Sequence, residues 1–497
     1  MKLKVKIVDL DAGGKEIVIL NNDDARELGV HPLERVILYD HKKIAGKQFN
    51  ITAIVNVSHK NVHRGVMVLY KDVAKDLGVK DGDFVNVYPR PSLESESFIR
   101  KKSDDVELNE KEIDSIVQDI TNRNLNDLEV ASFITALHIN GMTIRENIFF
   151  TKSMVNTSNK MFHFSGNVVD KHSAGGVPGD KTSILLVPII ASAGLVIPKT
   201  SSRAITDPAG TADRVEVLTN VSLSPEKINS VVKKTNACLV WGGALNLAPV
   251  DDMTIQIEKP LSMDPLIVPS ILTKKKIMGA KNIVLDIPVG PETKFKTKKE
   301  AMKMADKFQK VGKAIGLNVK YVITDGHQPL GYTMGAALEA REALQSLLDP
   351  ENAPADLIKK VMQVSEVLLK MAGKNPKLAS EVFYNRKAEK KLRDIIQAQG
   401  GNGKIMPDEI KIEENTQRFE IVSSKKGRVI YIANKKLINV AKISGCPSDK
   451  YSGLLLNKKV GDLVEKGELL YTIYAEKEAK LKTASDVARK DSGYVIR

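Results

Sequence analysis

Cysteine is nearly missing from this chain. Its 497 residues include two, Cys238 and Cys446, too few for a disulfide framework or a four-cysteine zinc site. Both are expected to be reduced thiols in a cytoplasmic protein. Glycine (33) and proline (20) are too sparse for a fibrous or collagen-like chain. Long apolar runs are also lacking. The longest near-apolar stretch, Ile184 to Pro198, is broken by Pro188 and is too short to span a bilayer. The opening MKLKVKIVDLDAGGKEIVIL has no uninterrupted apolar segment of the signal-peptide kind. A soluble, cytoplasmic protein without membrane contact is therefore expected.

Hydrophobic residues make up 42% of the chain and charged residues 27%, with both signs interspersed; this excludes wholesale disorder. The length allows about three domains at roughly 100–200 residues each. Net charge is +14, and residues 425–497 hold 16 Lys/Arg against 8 Asp/Glu, a balance suited to anionic ligands. Aromatics are only 5% and no stacking motif accompanies the basic tail, so nucleic acid is not the expected partner.

The first ninety residues repeat. Ile19-Leu20-Asn21-Asn22-Asp23-Asp24-Ala25-Arg26-Glu27-Leu28-Gly29-Val30 returns as Val68-Leu69-Tyr70-Lys71-Asp72-Val73-Ala74-Lys75-Asp76-Leu77-Gly78-Val79, and each copy leads to an apolar strand ending at Tyr39 or Tyr88. Each reads as strand, short Asp-capped helix, C-terminal Gly and strand. Two such halves predict a double-psi-like β-barrel over residues 1–88, with a folding or assembly role. Pro89 to Asp105 reads as a polar linker. Residues 105–165 carry helical periodicity, with starts near Asn109, Asn126 and Thr143, and part of 235–262 is expected to complete this helical domain. Residues 166–415 alternate apolar runs and helices, predicting a large α/β domain. Its strand candidates are Ile184–Ile190, Ile283–Ile287 and Val319–Thr324, and its helices include Ala301–Ile315 and Ala336–Leu348. Residues 416–497 read as a β-rich α+β domain. The whole is a multidomain α/β protein.

Two segments carry chemistry. Asp170-Lys171-His172-Ser173-Ala174-Gly175-Gly176-Val177-Pro178-Gly179-Asp180-Lys181-Thr182-Ser183 combines glycines, which let backbone N–H groups approach an anion, with Lys, Ser and Thr donors. It lacks the spacing of a Walker A loop. Thr200 to Asp213 adds six Ser, Thr or Arg side chains within twelve residues, and Arg203 can hold a phosphate bidentately. Two such loops in one domain point to two phosphates or one polyphosphate.

Ser201 to Glu216 resembles the signature of the nucleoside phosphorylase family that includes thymidine and pyrimidine-nucleoside phosphorylases. Only Pro208 departs, standing where Thr or Ala is usual. The resemblance spans about residues 105 to 490. It implies that Lys171, Ser173, Ser183, Ser201 and Thr211 hold the attacking phosphate, and that Ser270 and Lys274 contact the base. The arginine that clamps a pyrimidine carbonyl falls on Ile255 or Ile257 here, so that clamp is missing. With the N-terminal repeat, the Lys-His-Ser-x-Gly-Gly-Val-Pro-Gly loop and Ser-Ser-Arg-Ala-Ile-Thr, the chain is similar to the archaeal AMP phosphorylase subfamily. The similarity implies phosphorolysis of AMP, with CMP and UMP as further candidates, to free base and ribose 1,5-bisphosphate. It places the general acid at Asp264 and nucleotide contacts at Gly176, Ser202, Arg203, Ala204, Ile205, Thr206, Asp207, Thr211, Ser270 and Lys294.

Protonating a departing adenine requires a carboxyl whose pKa burial has raised, and Asp264 stands between Met263 and Pro265. His172 is read either as a phosphate donor or as a packed loop residue, and His327 as a turn residue. Cys238 and Trp241 are assigned to the core. AMP and orthophosphate are the expected partners, with no metal and no organic cofactor. A homodimer through the helical domain, or a larger homo-oligomer through the barrel, is expected. A pyrimidine-nucleoside phosphorylase, an anthranilate phosphoribosyltransferase-like enzyme and a basic nucleic-acid-binding or assembly protein are the competing readings.

Overall fold

Alternation in Lys2-Leu3-Lys4-Val5-Lys6 puts Leu3 and Val5 on one buried face and the lysines in solvent. The same period-two pattern recurs in the other strands of the first unit. The computed structural model describes residues 1–11, 13, 15–44, 47–158, 161–204, 207–245, 247–261 and 263–497. The chain divides into two compact units, Met1–Val106 with Gln118–Phe133, and Glu107–Val117 with Ile134–Arg497.

In the first unit, strands β1 (Lys2–Val8), β2 (Ile17–Asn21), β3 (Arg35–Ile44), β4 (Lys47–Ser58), β5 (Val66–Tyr70) and β6 (Phe84–Pro89) close a barrel in the order β1-β5-β2-β4-β3-β6. The two halves interleave: β1 runs parallel to β5, and β2 parallel to β4. Closure leaves no sheet edge to cover, and Leu20, Val36, Leu38, Val55, Leu69 and Val85 fill the centre. Both repeat helices, Asn22–Leu28 and Lys71–Leu77, end in left-handed glycines, Gly29 (φ 69°) and Gly78 (φ 75°), as the repeat predicts. Their starts differ from the expected Asp caps. The Asn21 side chain accepts the Asp23 N–H, and Tyr70 offers no side-chain cap. The polar stretch after β6 is not merely a linker either. Glu94–Ser103 is a helix that buries Ser95 and Ile99. One apolar contact per turn was too narrow a stripe to stand out in so charged a segment.

In the second unit, β7 (Val169–Ser173), β10 (Asn282–Val289) and β11 (Asn318–Asp325) form a parallel sheet in the order β11-β10-β7, while β8 (Ile197–Ser201) pairs in parallel with β9 (Ala237–Trp241). A parallel bridge, Val168 to Val196, joins the two at β7. Strand order thus reverses beside β7, and ligands of open α/β sheets bind outside the carboxyl ends at such a reversal.

The expected strand Ile184–Ile190 is instead part of the helix Thr182–Ser192, buried from Thr182 through Ala191. A helix enclosed on every side is apolar all round, so it carries no 3.6-residue stripe and reads like a buried strand. The expected strands at Ile283 and Val319 and helices at Ala301 and Ala336 are present. Ile144–Asn156 starts with the capping box Thr143/Glu146 and lies against the helix Ile267–Ile277, where Thr273 Oγ1 donates to the Thr151 carbonyl at 3.5 Å.

The C-terminal part forms two antiparallel sheets. One joins β12 (Thr333–Met334), β15 (Gly453–Leu456), β17 (Leu469–Ala475) and β13 (Gln417–Val422), in that order. The other runs β16 (Leu463–Val464), β14 (Gly427–Ile432) and β18 (Tyr494–Ile496). Helices Asn434–Ser444 and Glu478–Lys490 pack on each other beside these sheets. Among the described residues no helix is long and apolar enough to cross a membrane.

Candidate active site

Strands β7, β8 and β10 of the second unit each end in a segment that holds a predicted site residue. Strand β7 delivers Lys171 and Ser173, and the glycine loop turns through Gly179 (φ 79°) into the first turn of helix Thr182–Ser192, which carries Ser183. That helix N-terminus presents a positive dipole end, with the Thr182 N–H bonded to the Asp180 carboxylate at 3.2 Å and the Ile184 N–H to the Lys181 carbonyl at 3.0 Å. Thr182 Oγ1 there, and Ser201 Oγ at the end of β8, are buried without a hydrogen-bond partner among the described residues. Buried hydroxyls without partners are rare in folded proteins. The Ser201 hydroxyl at its strand end fits a bound anion, whereas Thr182 stands beside the Asp180 carboxylate.

Lys171 is almost wholly buried, and its Nζ lies 3.5 Å from Asp286 and 3.8 Å from Asp180. Lys360 joins them, 2.9 Å from Asp286 and 3.3 Å from Asp180. Burial would raise the Asp180 carboxyl, but Lys171 and Lys360 outweigh it and hold it well below the ordinary range. A second buried group lies beneath. Lys275 reaches Asp170 at 2.6 Å, and Lys199 donates to the Thr200 carbonyl at 2.7 Å. Burial first, and Lys275 next, push Lys199 down to about 7. His172 is held well below its usual value by burial and by Lys275, Lys199 and Lys171. It is therefore a neutral imidazole, not a cation.

Ser202, Arg203 and Ala204 form the loop after β8, and Ile205 and Thr206 lie outside the described residues. The loop folds back on Gly210, where a Cβ would meet the Arg203 carbonyl carbon at 2.4 Å and the Ala204 nitrogen at 2.6 Å. Asp213 pins it, accepting the Ala204 and Gly210 N–H groups at 2.7 and 2.8 Å. Arg203 is not a free donor. It pairs bidentately with Glu216 at 2.6 and 2.7 Å, reaches Asp213 at 3.1 Å and stacks on Trp241 at 4.7 Å. Trp241 is part-buried, packed against the hydrophobic core with its ring beneath the guanidinium, and Cys238 is fully buried as expected. Asp207 lies against Gly176, close enough that a Cβ there would sit 3.2 Å from its carboxylate, and burial raises its pKa. Thr211 opens the helix Thr211–Glu216.

The third group gathers on the far side. Asp264 is ion-paired with Lys294, which follows β10, and both are part-exposed. Burial pushes the Asp264 carboxyl up while Lys294 opposes it. Lys274 pairs with Asp251 at 2.5 Å, and Ser270 sits one turn before it on the same helix. His327 is an exposed turn residue, its Nδ1 2.6 Å from Asp325. A separate cleft of about 600 Å³, lined by Lys281, Gln309, Lys313 and Lys320, opens at the opposite strand ends. None of the groups above lines it.

Three family descriptions match this chain: "Glycosyl transferase family, a/b domain" over residues 165–406, "Glycosyl transferase family, helical bundle domain" over 96–158, and "Pyrimidine nucleoside phosphorylase C-terminal domain" over 442–495. The AMP phosphorylase of Thermofilum pendens is 45% identical, over 98% of this chain and 93% of its own. Those of Thermococcus kodakarensis and Methanocaldococcus jannaschii are each 42% identical, over 99% and 98% of this chain and 97% and 96% of their own. The chain belongs to the AMP phosphorylase family. Anthranilate phosphoribosyltransferase from Thermus thermophilus superposes with a TM-score of 0.51 at 17% identity, covering 61% of this chain and 99% of that one, a likeness of fold alone.

For this member of the AMP phosphorylase family, sequence reading missed three groups: Lys360, Asp286 and Glu216. Lys360 stands 189 positions after Lys171 on an ordinary amphipathic helix, Ala355–Met371. Nothing local marks it. Asp286 lies inside a strand segment, Val284-Leu285-Asp286-Ile287, where a lone buried carboxylate should have drawn attention. Glu216 closes the signature itself but was not weighed as a partner for Arg203.

Proposed function

We propose that this protein catalyses phosphorolysis of AMP, with CMP and UMP as further candidate substrates, yielding the free base and ribose 1,5-bisphosphate. The full-length likeness to proteins named AMP phosphorylase carries this reading. In it, orthophosphate sits on Lys171, Ser173, Ser183, Ser201 and Thr211 and attacks C1′, and the unpartnered Ser201 hydroxyl and the adjacent helix N-terminus support that placement. Gly176, Ser202 to Asp207, Thr211, Ser270 and Lys294 hold the nucleotide, and Ser270 and Lys274 face the base. Asp264 protonates the leaving base, for which its raised pKa is suited. The chain's own contribution is to place two anions and one acid around a bond whose cleavage leaves a cation-like sugar.

The 5′-phosphate would take the place of Glu216 as bidentate partner of Arg203. The domain division 1–88, 105–165 with part of 235–262, 166–415 and 416–497, a double-psi course for the barrel, a cytoplasmic location and a homo-oligomer belong to the same reading. Interleaved parallel pairing within the closed barrel supports the second of these.

The test is phosphate-dependent adenine release from AMP and from adenosine, by wild type and Arg203→Ala. A charge-assisted contact made only by the nucleotide contributes about 1.5–3 kcal/mol, so Arg203→Ala should cost AMP roughly 10- to 100-fold and adenosine much less. Equal wild-type rates on the two substrates, or equal mutant losses, would return the chain to the nucleoside phosphorylases.

A further inference from the structure

Trp241 is the single tryptophan of this chain, and it closes β9 beside the loop that carries Arg203. In the parallel register of β8 and β9 it stands opposite Ser201. Its N–H donates to the Val221 carbonyl at 2.9 Å, and its side chain packs against the hydrophobic core. The turn that follows leaves room for the ring, since a Cβ on Gly243 would lie 2.7 Å from the indole Cε2. The indole is thus held by strand, core and turn. Its face lies against the Arg203 guanidinium, with Cζ 4.7 Å from the ring centroid.

A guanidinium offers two different surfaces. Its N–H donors lie in one plane and meet anions at the edge, while its flat faces stack on aromatic rings. Glu216 occupies the edge of Arg203 at 2.6 and 2.7 Å, and Asp213 is reached at 3.1 Å. Exchange of Glu216 for a phosphate therefore removes both short hydrogen bonds at once. The face contact survives, because phosphate and indole do not compete for one surface. Resting on the reading of Arg203 as the ligand of the 5′-phosphate, we propose that Trp241 is a positioning residue for nucleotide recognition. Its indole face keeps the guanidinium in place while the 5′-phosphate replaces Glu216 at the edge. Tryptophan suits the task, since its ring is the best aromatic partner of a cation. Lys450, whose Nζ donates to the Glu216 carbonyl at 3.4 Å, stays beside the released carboxylate. Trp241 thereby favours a nucleotide over a nucleoside without touching either.

With one tryptophan in the chain, tryptophan fluorescence of the intact protein reports on Trp241 alone. Titrations without orthophosphate compare ribose 5-phosphate, which brings the 5′-phosphate and no base, with adenosine, which brings the base and no phosphate. Ribose 5-phosphate should shift the emission and adenosine should not, and Arg203→Ala should abolish the response. Turnover supplies a second readout. Trp241→Leu keeps an apolar side chain and removes the aromatic face. It should raise KM for AMP about 3- to 30-fold, the range of a cation–π contact, and cost adenosine much less. Its kcat for AMP should stay within about twofold, as for a contact made equally in ground and transition states. Trp241→Phe keeps a face and should recover most of the loss. Should Trp241→Leu not fold, the wild-type titration decides the matter. An equal response to adenosine, or none to ribose 5-phosphate, overturns the proposal. So does a Trp241→Leu loss that is equal on AMP and adenosine, or that Trp241→Phe does not recover. An Arg203→Ala loss equal on both substrates defeats the reading of Arg203 and the proposal with it. A selective Arg203→Ala loss beside an unchanged Trp241→Leu defeats the proposal alone.

Discussion

Two kinds of ion pair stand side by side in this site. Lys294–Asp264 and Arg203–Glu216 are part-exposed, and pairs in contact with water contribute roughly 0–1 kcal/mol. A nucleotide can therefore displace either at small cost. Lys171, Lys360, Asp180 and Asp286 are the opposite case, four charges sealed almost wholly from water. Their weight shows when one of them is removed. Lys360→Met would leave two buried carboxylates to Lys171 alone, and breaking a buried pair in this way costs about 3–5 kcal/mol. The variant should lose that much in denaturant unfolding. Lys171 would also be drawn more firmly to Asp180 and Asp286, so KM for phosphate should rise more than KM for AMP. An unfolding free energy within about 1 kcal/mol of wild type, in the range of an exposed pair, would show that Lys360 is dispensable.

The elements place these side chains by backbone geometry as much as by their own chemistry. Gly210 is one instance, because a Cβ there has backbone rather than flexible side chain in its way. Gly210→Ala must push the loop at 202–204 outward. Overpacking of this kind costs about 1–3 kcal/mol, and a displacement of about 1 Å in a positioning loop can cost on the order of a hundredfold in rate. AMP turnover should drop by that order while the melting transition stays cooperative, and near-wild-type turnover would show the loop to be indifferent to its own closure. This glycine was legible in the sequence as part of a signature, though its reason was not. The same holds more widely. Motif residues that lie close together along the chain, Lys171 with Ser183 or Ser201 with Thr211, could be singled out because glycine, hydroxyl and charge cluster there. Partners from distant segments could not. Lys360 and Asp286 acquire meaning only when helices and strands far apart in sequence meet. The helix Thr182–Ser192 was misread for a related reason, since complete burial erases the periodicity by which helices are recognised. Barrel strands, half buried, kept their alternation and were legible.

At the scale of the whole chain, four buried apolar clusters among the described residues divide the labour. One belongs wholly to the barrel, and the other three contain no residue before Phe162. Every described group proposed to touch phosphate, nucleotide or base lies in the second unit. Removing residues 1–88 therefore takes away one complete core and leaves the other three with all their members. The interleaved pairs β1–β5 and β2–β4 satisfy each other inside the barrel, and its ties to residues 118–133 of the same unit include the ion pairs Arg123–Glu16 and Lys15–Asp127. A closed barrel attached to an enzyme but carrying none of its proposed chemistry suits a role in assembly, where a repeated surface on every protomer can meet its like. A chain starting at residue 89 should then keep phosphate-dependent adenine release within about threefold of the full-length protein, with a smaller subunit count by light scattering. The threefold allowance corresponds to about 0.7 kcal/mol, slightly more than the usual error of treating distant parts as independent. An unchanged subunit count would remove the assembly role from the barrel, and a lost activity with a cooperative melt would place part of the catalytic machinery there.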